Sequence, residues 1–403
     1  MNKIEELIEQ LCPEGVEFKE LGEVCDFLNG KGHEKHIIEN GKYIVVNSKF
    51  VSTDGNVKKY SDIQISPIYK DDILMVMSDL PNGKALAKCF FVNKDDTYTL
   101  NQRICALIVK DKSVNNAKFL YYLLNRNYQL LKYDSGSDQT NLKKDDILKI
   151  TIPFPPIQVQ QEIVYILDSF IKLEAELEAE LEARRAQYNY YRNQLLSFEG
   201  KEVEWKTLGE VGELVRGNGM PKSDFTENGV GCIHYGQIYT YYGIYTNKTK
   251  SFVSPETAKK LQKVQTNDLI ITNTSENLED VCKTVVWLGE NEIVTGGHAT
   301  IFKHKENPKY LAYYTQTSMF FSEKIKYARG AKVIDIKASD LAKIMIPIPP
   351  LSEQKCIVGI LDKFDSLVND ISVGIPAEIK ARRKQYEYYR GKLLDFKPLI
   401  INH

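Results

Sequence analysis

The chain has 403 residues, 43% of them apolar and 10% aromatic, which is enough for folded cores and too long for a single one, so two to four domains are expected. Its 53 basic and 54 acidic residues leave a formal net charge of -1, which excludes a protein that holds polyanions by bulk charge but leaves local basic surfaces open. Seven scattered cysteines without a CxxC pair, a charged start ("MNKIEELIEQL") without the apolar stretch of a signal peptide, and no apolar run near the roughly 20 residues of a membrane span lead to the expectation of a reduced, cytoplasmic protein.

In chain order, residues 1–16 read as a short helix ending in a Gly-containing turn, followed by "VEFKELGEV" (16–24). Residues 17–151 form a first domain. Within it "PIYKDDILMVMSDLPNGKALAKC" (67–89) reads as strand, turn, strand, and "AKFLYYLLNRNYQLLKY" (117–133) as a helix. Residues 152–200 open on Pro153, Pro155 and Pro156, tolerated where the first helical N–H groups lack partners. A long helix follows, continuous over 157–198. Ile163, Phe170, Leu177, Leu181, Tyr188 and Leu195 recur at seven-residue steps with one step of four, a coiled-coil stripe with a stutter, and Ile166, Leu173 and Tyr191 widen it. "LEAELEAELEARR" supplies strong helix formers and a glutamate-rich outer face.

Residues 201–345 and 346–403 repeat this plan. "VEWKTLGEV" (203–211) matches the first copy at seven of nine positions. "IPIPPLSEQKCIVGILDKF" (346–364) matches "IPFPPIQVQQEIVYILDSF" (152–170) at eleven of nineteen, and "ARRKQYEYYRGKLLDF" (381–396) matches "ARRAQYNYYRNQLLSF" (183–198) at eleven of sixteen. Between these landmarks the halves differ, as "KVQTNDLIITNTSENLEDVCK" (263–283) differs from 67–89. "PKYLAYYTQTSMFFSEKIKY" (308–327) reads as the matching late helix. The second long helix carries Ile357, Phe364, Ile371, Ile375, Ile379, Tyr386 and Leu393 along its seam, with one extra four-residue step; Gly374 and Pro376 fall inside this addition, so a kink or brief break is expected there. The short N-terminal helix stands where the end of a long helix belongs. The simplest geometry is a closed, pseudo-two-fold chain with antiparallel long helices; tandem domains without closure are the alternative.

No catalytic constellation stands out. His33 and His36, and His298 and His304, lack companions at metal-ligand spacing, and there is no phosphate-binding loop. "LNGKGHEKH" (28–36) and "VRGNGMPKS" (215–223) place a Gly-x-Gly alike in both halves; an ordinary turn and a loop beside DNA are both open readings. Polar turns supply residue types that read base edges or touch phosphate: Lys31, Lys35, Asn82, Lys84, Gln102, Arg103, Ser137 and Gln139 in the first half, and Arg216, Asn218, Lys222, Asn273, Ser275, Arg329 and Lys332 in the second. The helix ends carry more Tyr and Arg than one seam can use: Arg184, Tyr188, Tyr190, Tyr191 and Arg192, then Arg382, Tyr386, Tyr388, Tyr389 and Arg390. A docked partner and packing on the chain's own domains are both open explanations.

Together the repeated "IPFPP…ILDSF", "ARR…YYR…LL.F" and "VE.K.LGEV" frames resemble the specificity subunit of type I restriction–modification enzymes, over essentially the whole chain. The resemblance implies an α/β fold with two globular target-recognition domains, 17–151 and 201–345, separated by two long antiparallel coiled-coil helices in a cyclic, pseudo-two-fold arrangement. It implies a non-catalytic subunit whose domains each read half of a bipartite, asymmetric double-stranded DNA site. Two methyltransferase subunits would dock on the helical ends, with restriction subunits added. S-adenosylmethionine, ATP and Mg2+ would belong to those partners and none to this chain. The competing expectation is a coiled-coil scaffold whose variable domains bind proteins.

Overall fold

The computed structural model describes residues 2–81 and 83–399, and the chain divides into two compact units, Met1–Ala175 with Ala381–His403, and Glu176–Lys380. In the first unit, four antiparallel strands lie in the order Cys25–Asn29, Ile104–Val109, Ile73–Val76, Cys89–Phe91. Every residue of Ile73–Val76 is buried, because successive side chains enter different cores. Ile73 and Met75 join Leu120, Tyr122, Ile147 and Ile163, whereas Leu74 and Val76 join Val46, Phe50 and Ile68. A strand buried on both faces reads as an unbroken apolar run.

The helical frame of this unit follows the heptad pattern. Ile157–Leu195 is one uninterrupted helix, of which residues up to 175 lie here. The Phe170 ring stacks on Tyr389 with centroids 5.5 Å apart, and Glu174 pairs with Arg383 at 2.5 Å, so the two helices run antiparallel. The N-terminal helix Asn2–Leu11 completes the frame. Ile4 is buried in the core, Lys3 pairs with Glu162 at 2.5 Å and Glu5 with Lys392 at 3.7 Å. The chain then closes on itself: the Val16 N–H donates to the Lys397 carbonyl and the Leu399 N–H to the Val16 carbonyl, each at 2.9 Å.

The second unit has two five-stranded sheets. One runs Gly212–Arg216, Ala299–His304, Leu269–Thr272, Thr284–Trp287, Tyr245–Thr246; the other is built around Val230–Ile233. Its frame repeats the first: the Tyr191 ring stacks on Phe364 at 5.5 Å. The repeated "VE.K" motifs become clasps that tie each unit's entry to its exit. Phe18–Glu20 pairs antiparallel with Thr151–Pro153, and Glu204–Thr207 with Met345–Ile348.

Three expectations need correction. The segment 117–133 is two helices, Ala117–Leu124 and Tyr128–Leu131, because Arg126 takes a left-handed φ of 59° and the Asn127 side chain caps a new start. The segment 308–327 is likewise split into Pro308–Tyr314 and Ser318–Lys324, with Thr317 as the new cap. Third, Ile371 is not in the seam. The helix Leu351–Asn369 ends, a turn intervenes, and Ile375–Leu393 begins anew, leaving Ile371 and Val373 each 74% exposed. A Cβ on Gly374 would collide with the carbonyl oxygen of Ser366, and Pro376 sits in the first turn of the new helix, where its missing N–H costs nothing.

Candidate nucleic-acid interface

Each unit hangs its sheet from the frame by the same set of contacts. In the first, Gln160 is buried; its side chain accepts from the Asn116 N–H at 2.8 Å and donates to the carbonyls of Val114 and Pro155. Asn116 caps the helix that carries Lys118 and Tyr122, and both of these bond Asp168, at 2.7 and 2.5 Å. In the second unit Gln354 accepts from Asn307, which caps the helix carrying Lys309 and Tyr313, and these bond Asp362 at 2.8 and 2.7 Å. Burial first, and then the Asp168 and Asp362 carboxylates, push both phenols well above their usual range, so both hydroxyls stay protonated donors.

At one end of each sheet the loops gather. In the first unit Asn29 lies opposite Cys105 and Val76 opposite Ile104, so loops 30–36, 77–88 and 101–103 leave from one edge. The Met77 N–H donates to the Arg103 carbonyl, and the Leu142 N–H to the Met77 carbonyl. The ribbon Ser78–Asp79 with Thr140–Asn141 brings in the loop 133–141, where Gln139 donates to Ser78 at 2.7 Å. Lys31, Lys35, Lys84, Gln102, Arg103, Ser137 and Gln139 are therefore brought together, all exposed. Arg103 holds a left-handed φ of 69°, and Gln102 is engaged by Glu34 at 2.8 Å. Asn82 lies outside the described residues. His33 is buried and structural: its ring bonds the Lys31 carbonyl at 2.7 Å and Thr99 at 2.8 Å, holding the loop that presents Lys31 and Lys35.

The second unit gathers its loops similarly. Arg216 lies opposite Thr300 and Thr272 opposite Ala299, so loops 217–222, 273–283 and 296–298 share an edge, and Thr274–Ser275 pairs with Ile334–Asp335 to add the loop bearing Arg329 and Lys332. Lys222, Arg329 and Lys332 are exposed. Arg216 is held back, its Nε donating to the Gly297 carbonyl at 3.1 Å, and Asn218 donates to the Lys260 carbonyl at 2.6 Å. The first glycine of each Gly-x-Gly is required by packing, since a Cβ on Gly30 or Gly217 would collide with the carbonyl oxygen of Asn101 or Gly296. Asn273 is a correction: it is 0% exposed, donates to the Ile336 carbonyl and accepts from Thr300, so no amide edge is left to read a base.

Sequence reasoning missed the aromatic wall of this edge. Tyr235, Tyr239 and His298 line a cleft of about 370 Å³ with Thr274, Ser275 and Asn277, and Glu276 and Asp280 on its rim. His298 Nδ1 lies 3.0 Å from Thr274 Oγ1, and its ring is 4.8 Å from Tyr235. The signal was the pair "HYGQIYTYYG" and "TGGHAT", whose strands, Val230–Ile233 and Ile293–Thr295, are neighbours.

The Tyr- and Arg-rich helix ends divide by side. Tyr188 is buried in the seam with its hydroxyl 3.4 Å from Asp365, so it is not free for a partner. Tyr386 packs against the first unit's core. Arg192 donates to Gln316 at 2.9 Å, and Arg390 donates to the carbonyls of Tyr122 and Asn125 at 2.9 and 2.6 Å. Arg184 and Arg382 engage Gln187 and Gln385, each three residues further along. Tyr190 and Tyr388 point outward, 60% and 66% exposed. Each lies edge-on to its neighbour, Tyr191 or Tyr389, at 5.4 and 5.3 Å, and that neighbour is stacked on Phe364 or Phe170.

Among the described residues no helix is long and apolar enough to cross a membrane. The family model for the type I restriction modification DNA specificity domain matches residues 13–183 and 200–381. A specificity subunit of the type I restriction enzyme EcoR124I/EcoR124II of Escherichia coli is 37% identical over 268 residues, 63% of this chain and 65% of that relative's length. A putative type I restriction enzyme specificity subunit of Haemophilus influenzae is 32% identical over 307 residues, 72% of this chain and 74% of that one. Among solved structures, one described under type I restriction–modification complex assembly and conformational transition superposes with a TM-score of 0.63 at 18% identity, covering 95% of this chain and 98% of that one. A type I restriction–modification S subunit from M. genitalium gives 0.52 at 16% identity, covering 94% and 96%.

Proposed function

The chain belongs to the type I restriction–modification DNA specificity family, and from that premise we propose that it is the non-catalytic subunit that recognises duplex DNA and positions methyltransferase and restriction subunits on it. Residues 17–151 and 201–345 are its two target-recognition domains, and each reads one half of a bipartite, asymmetric site. The observation that supports this is the repeat itself: one frame, built twice with matching contacts, presents two unlike sets of polar loops, each gathered at a sheet edge.

Lys31, Lys35, Lys84 and Arg103 in the first domain, and Lys222, Arg329 and Lys332 in the second, suit phosphate positioning or guanine edges. Gln102, Gln139 and Ser275 suit base edges. In the second domain the Tyr235–His298 cleft adds stacking surface, and Glu276 and Asp280 are acceptors for exocyclic amines. The outward aromatics Tyr190 and Tyr388, in equivalent places, are the docking points for two copies of one partner. A net charge of -1 makes the chain alone a weak DNA binder, so recognition is strongest in the assembled complex.

The test is methylation of a random-sequence duplex library by the chain assembled with methyltransferase subunits. A split motif with an unread spacer is expected. Methylation without sequence preference would favour the scaffold alternative.

A further inference from the structure

In both units the repeated "YYR" motif or the residue after it holds the turn between two late helices, and hydrogen bonds lead on from there to a loop of the gathered edge. In the first unit the Arg390 guanidinium donates to the carbonyls of Tyr122 and Asn125. The Asn125 side chain accepts from the Cys89 N–H at 3.0 Å, at the exit of the loop 77–88. Arg126, held left-handed, donates its N–H to the Ala87 carbonyl at 2.8 Å and its Nη1 to the Leu86 carbonyl at 3.1 Å. The Leu86 and Ala85 N–H groups donate to Asp79, which also receives the Leu80 N–H and so closes the loop that carries Lys84.

In the second unit Arg192 donates to Gln316, and the neighbouring Asn193 side chain accepts from the Ser318 N–H at 2.9 Å. Ser318 begins the helix Ser318–Lys324, whose buried last residue, Lys324, donates to the carbonyls of Glu279 and Val281 at 2.8 and 2.6 Å. These carbonyls belong to the loop 273–283, on the rim of the Tyr235–His298 cleft.

The two routes differ: Arg390 starts the first, whereas in the second Arg192 holds Gln316 and the next residue, Asn193, carries the route to Ser318, yet both end on a loop of the edge. We propose that Arg390 in the first unit, and Arg192 with Asn193 in the second, are positioning residues for base reading, setting the loops 77–88 and 273–283 through Arg126 and Lys324. Each arginine lies two residues beyond the outward Tyr388 or Tyr190, so occupation of the helix end by a partner bears on how strictly that unit's half-site is read. The inference rests on the proposed DNA reading.

The experiment uses the assembled methyltransferase complex. It compares wild type with Arg390→Ala, Arg390→Lys, Arg126→Ala, Arg192→Ala and Lys324→Ala on the cognate duplex and on duplexes with one mismatch in either half. Arg390→Ala and Arg126→Ala should each raise relative methylation of mismatches by about tenfold in the half read by residues 17–151, leaving the other half unchanged. The double variant should go no further than either single one. Arg192→Ala and Lys324→Ala should relax only the other half, and Arg390→Lys should retain part of the discrimination. If Arg390→Ala does not fold, Arg390→Lys and Arg126→Ala decide the matter together: relaxation of the same half by both supports the linkage, and an unchanged Arg390→Lys profile overturns it. Unchanged mismatch profiles, or equal relaxation of both halves, would overturn the linkage alone. A wild-type complex without any sequence preference would overturn the DNA reading and the linkage with it.

Discussion

The Tyr122 hydroxyl donates to the Asp168 carboxylate at 2.5 Å, fastening a helix that packs on the first sheet to the long frame helix, and Lys118 holds the other carboxylate oxygen at 2.7 Å. Tyr122→Phe should lower the stability of the first unit by about 1.5–3 kcal/mol, the range for a hydrogen bond to a charged group. Asp168→Ala should cost about 2–4 kcal/mol, because it leaves the Lys118 ammonium and the Tyr122 hydroxyl without this acceptor. Hydrogen exchange over Ala117–Leu124 in denaturant is the direct readout. Equal protection in wild type and both variants would show that the latch contributes nothing.

In the second unit the frame helix is broken between Leu351–Asn369 and Ile375–Leu393. Deleting Ile371 to Gly374 removes most of the turn that joins the two helices and shortens the connection between them. If the frame sets the unread spacer, the methylated motif should change its spacer and keep both half-sites. An unchanged spacer in a folded variant would remove the ruler role. Gly374→Ala should destabilise the turn, since its Cβ would meet the Ser366 and Leu367 carbonyls.

His304 makes the second unit sensitive to acid. Burial pushes its imidazole down to about 4, so the folded chain keeps it neutral through the range where the unfolded chain takes up a proton, near 6.5. Its contribution is therefore complete above about pH 6.5 and is lost as pH falls toward 4, by up to about 3 kcal/mol. Both tryptophans, Trp205 and Trp287, lie in this unit, so denaturant unfolding followed by Trp fluorescence isolates it. His304→Leu should flatten the slope between pH 6.5 and 4 relative to wild type. Identical slopes would assign the acid loss to other groups.

Tyr190→Glu and Tyr388→Glu should each remove one methyltransferase copy from the complex while the chain stays folded, because both rings are outside the seam. Native mass spectrometry would show a 1:1 assembly for each single variant and none for the double. Full 2:1 assembly in the double variant would move the docking point elsewhere.

The long helices were legible because a proline cluster, a seven-residue step and a second copy all spoke for them. So was the need for a break beside Gly374, since a glycine and a proline fall together in the extra step. The two late helices were misread as single ones because "NRN" and "TQTS" contain no Gly or Pro, and the breaks come from a left-handed Arg126 and new side-chain caps. Asn273 was misjudged because residue type speaks to what a side chain can read and not to whether it faces out; its strand neighbour Thr300 and the Ile336 carbonyl, distant in sequence, decide that. The latch was present in the sequence as Lys118, Tyr122 and Asp168 matched by Lys309, Tyr313 and Asp362. It became readable only once the fold showed which copies meet.

The central claim is that two unlike readers are carried by one repeated frame. Replacing residues 17–151 with the corresponding segment of another family member, and mapping the methylated motif by modification-sensitive sequencing, tests it most directly. One half of the motif should change while the other half stays as it was. A change in both halves, or in neither, would contradict the account.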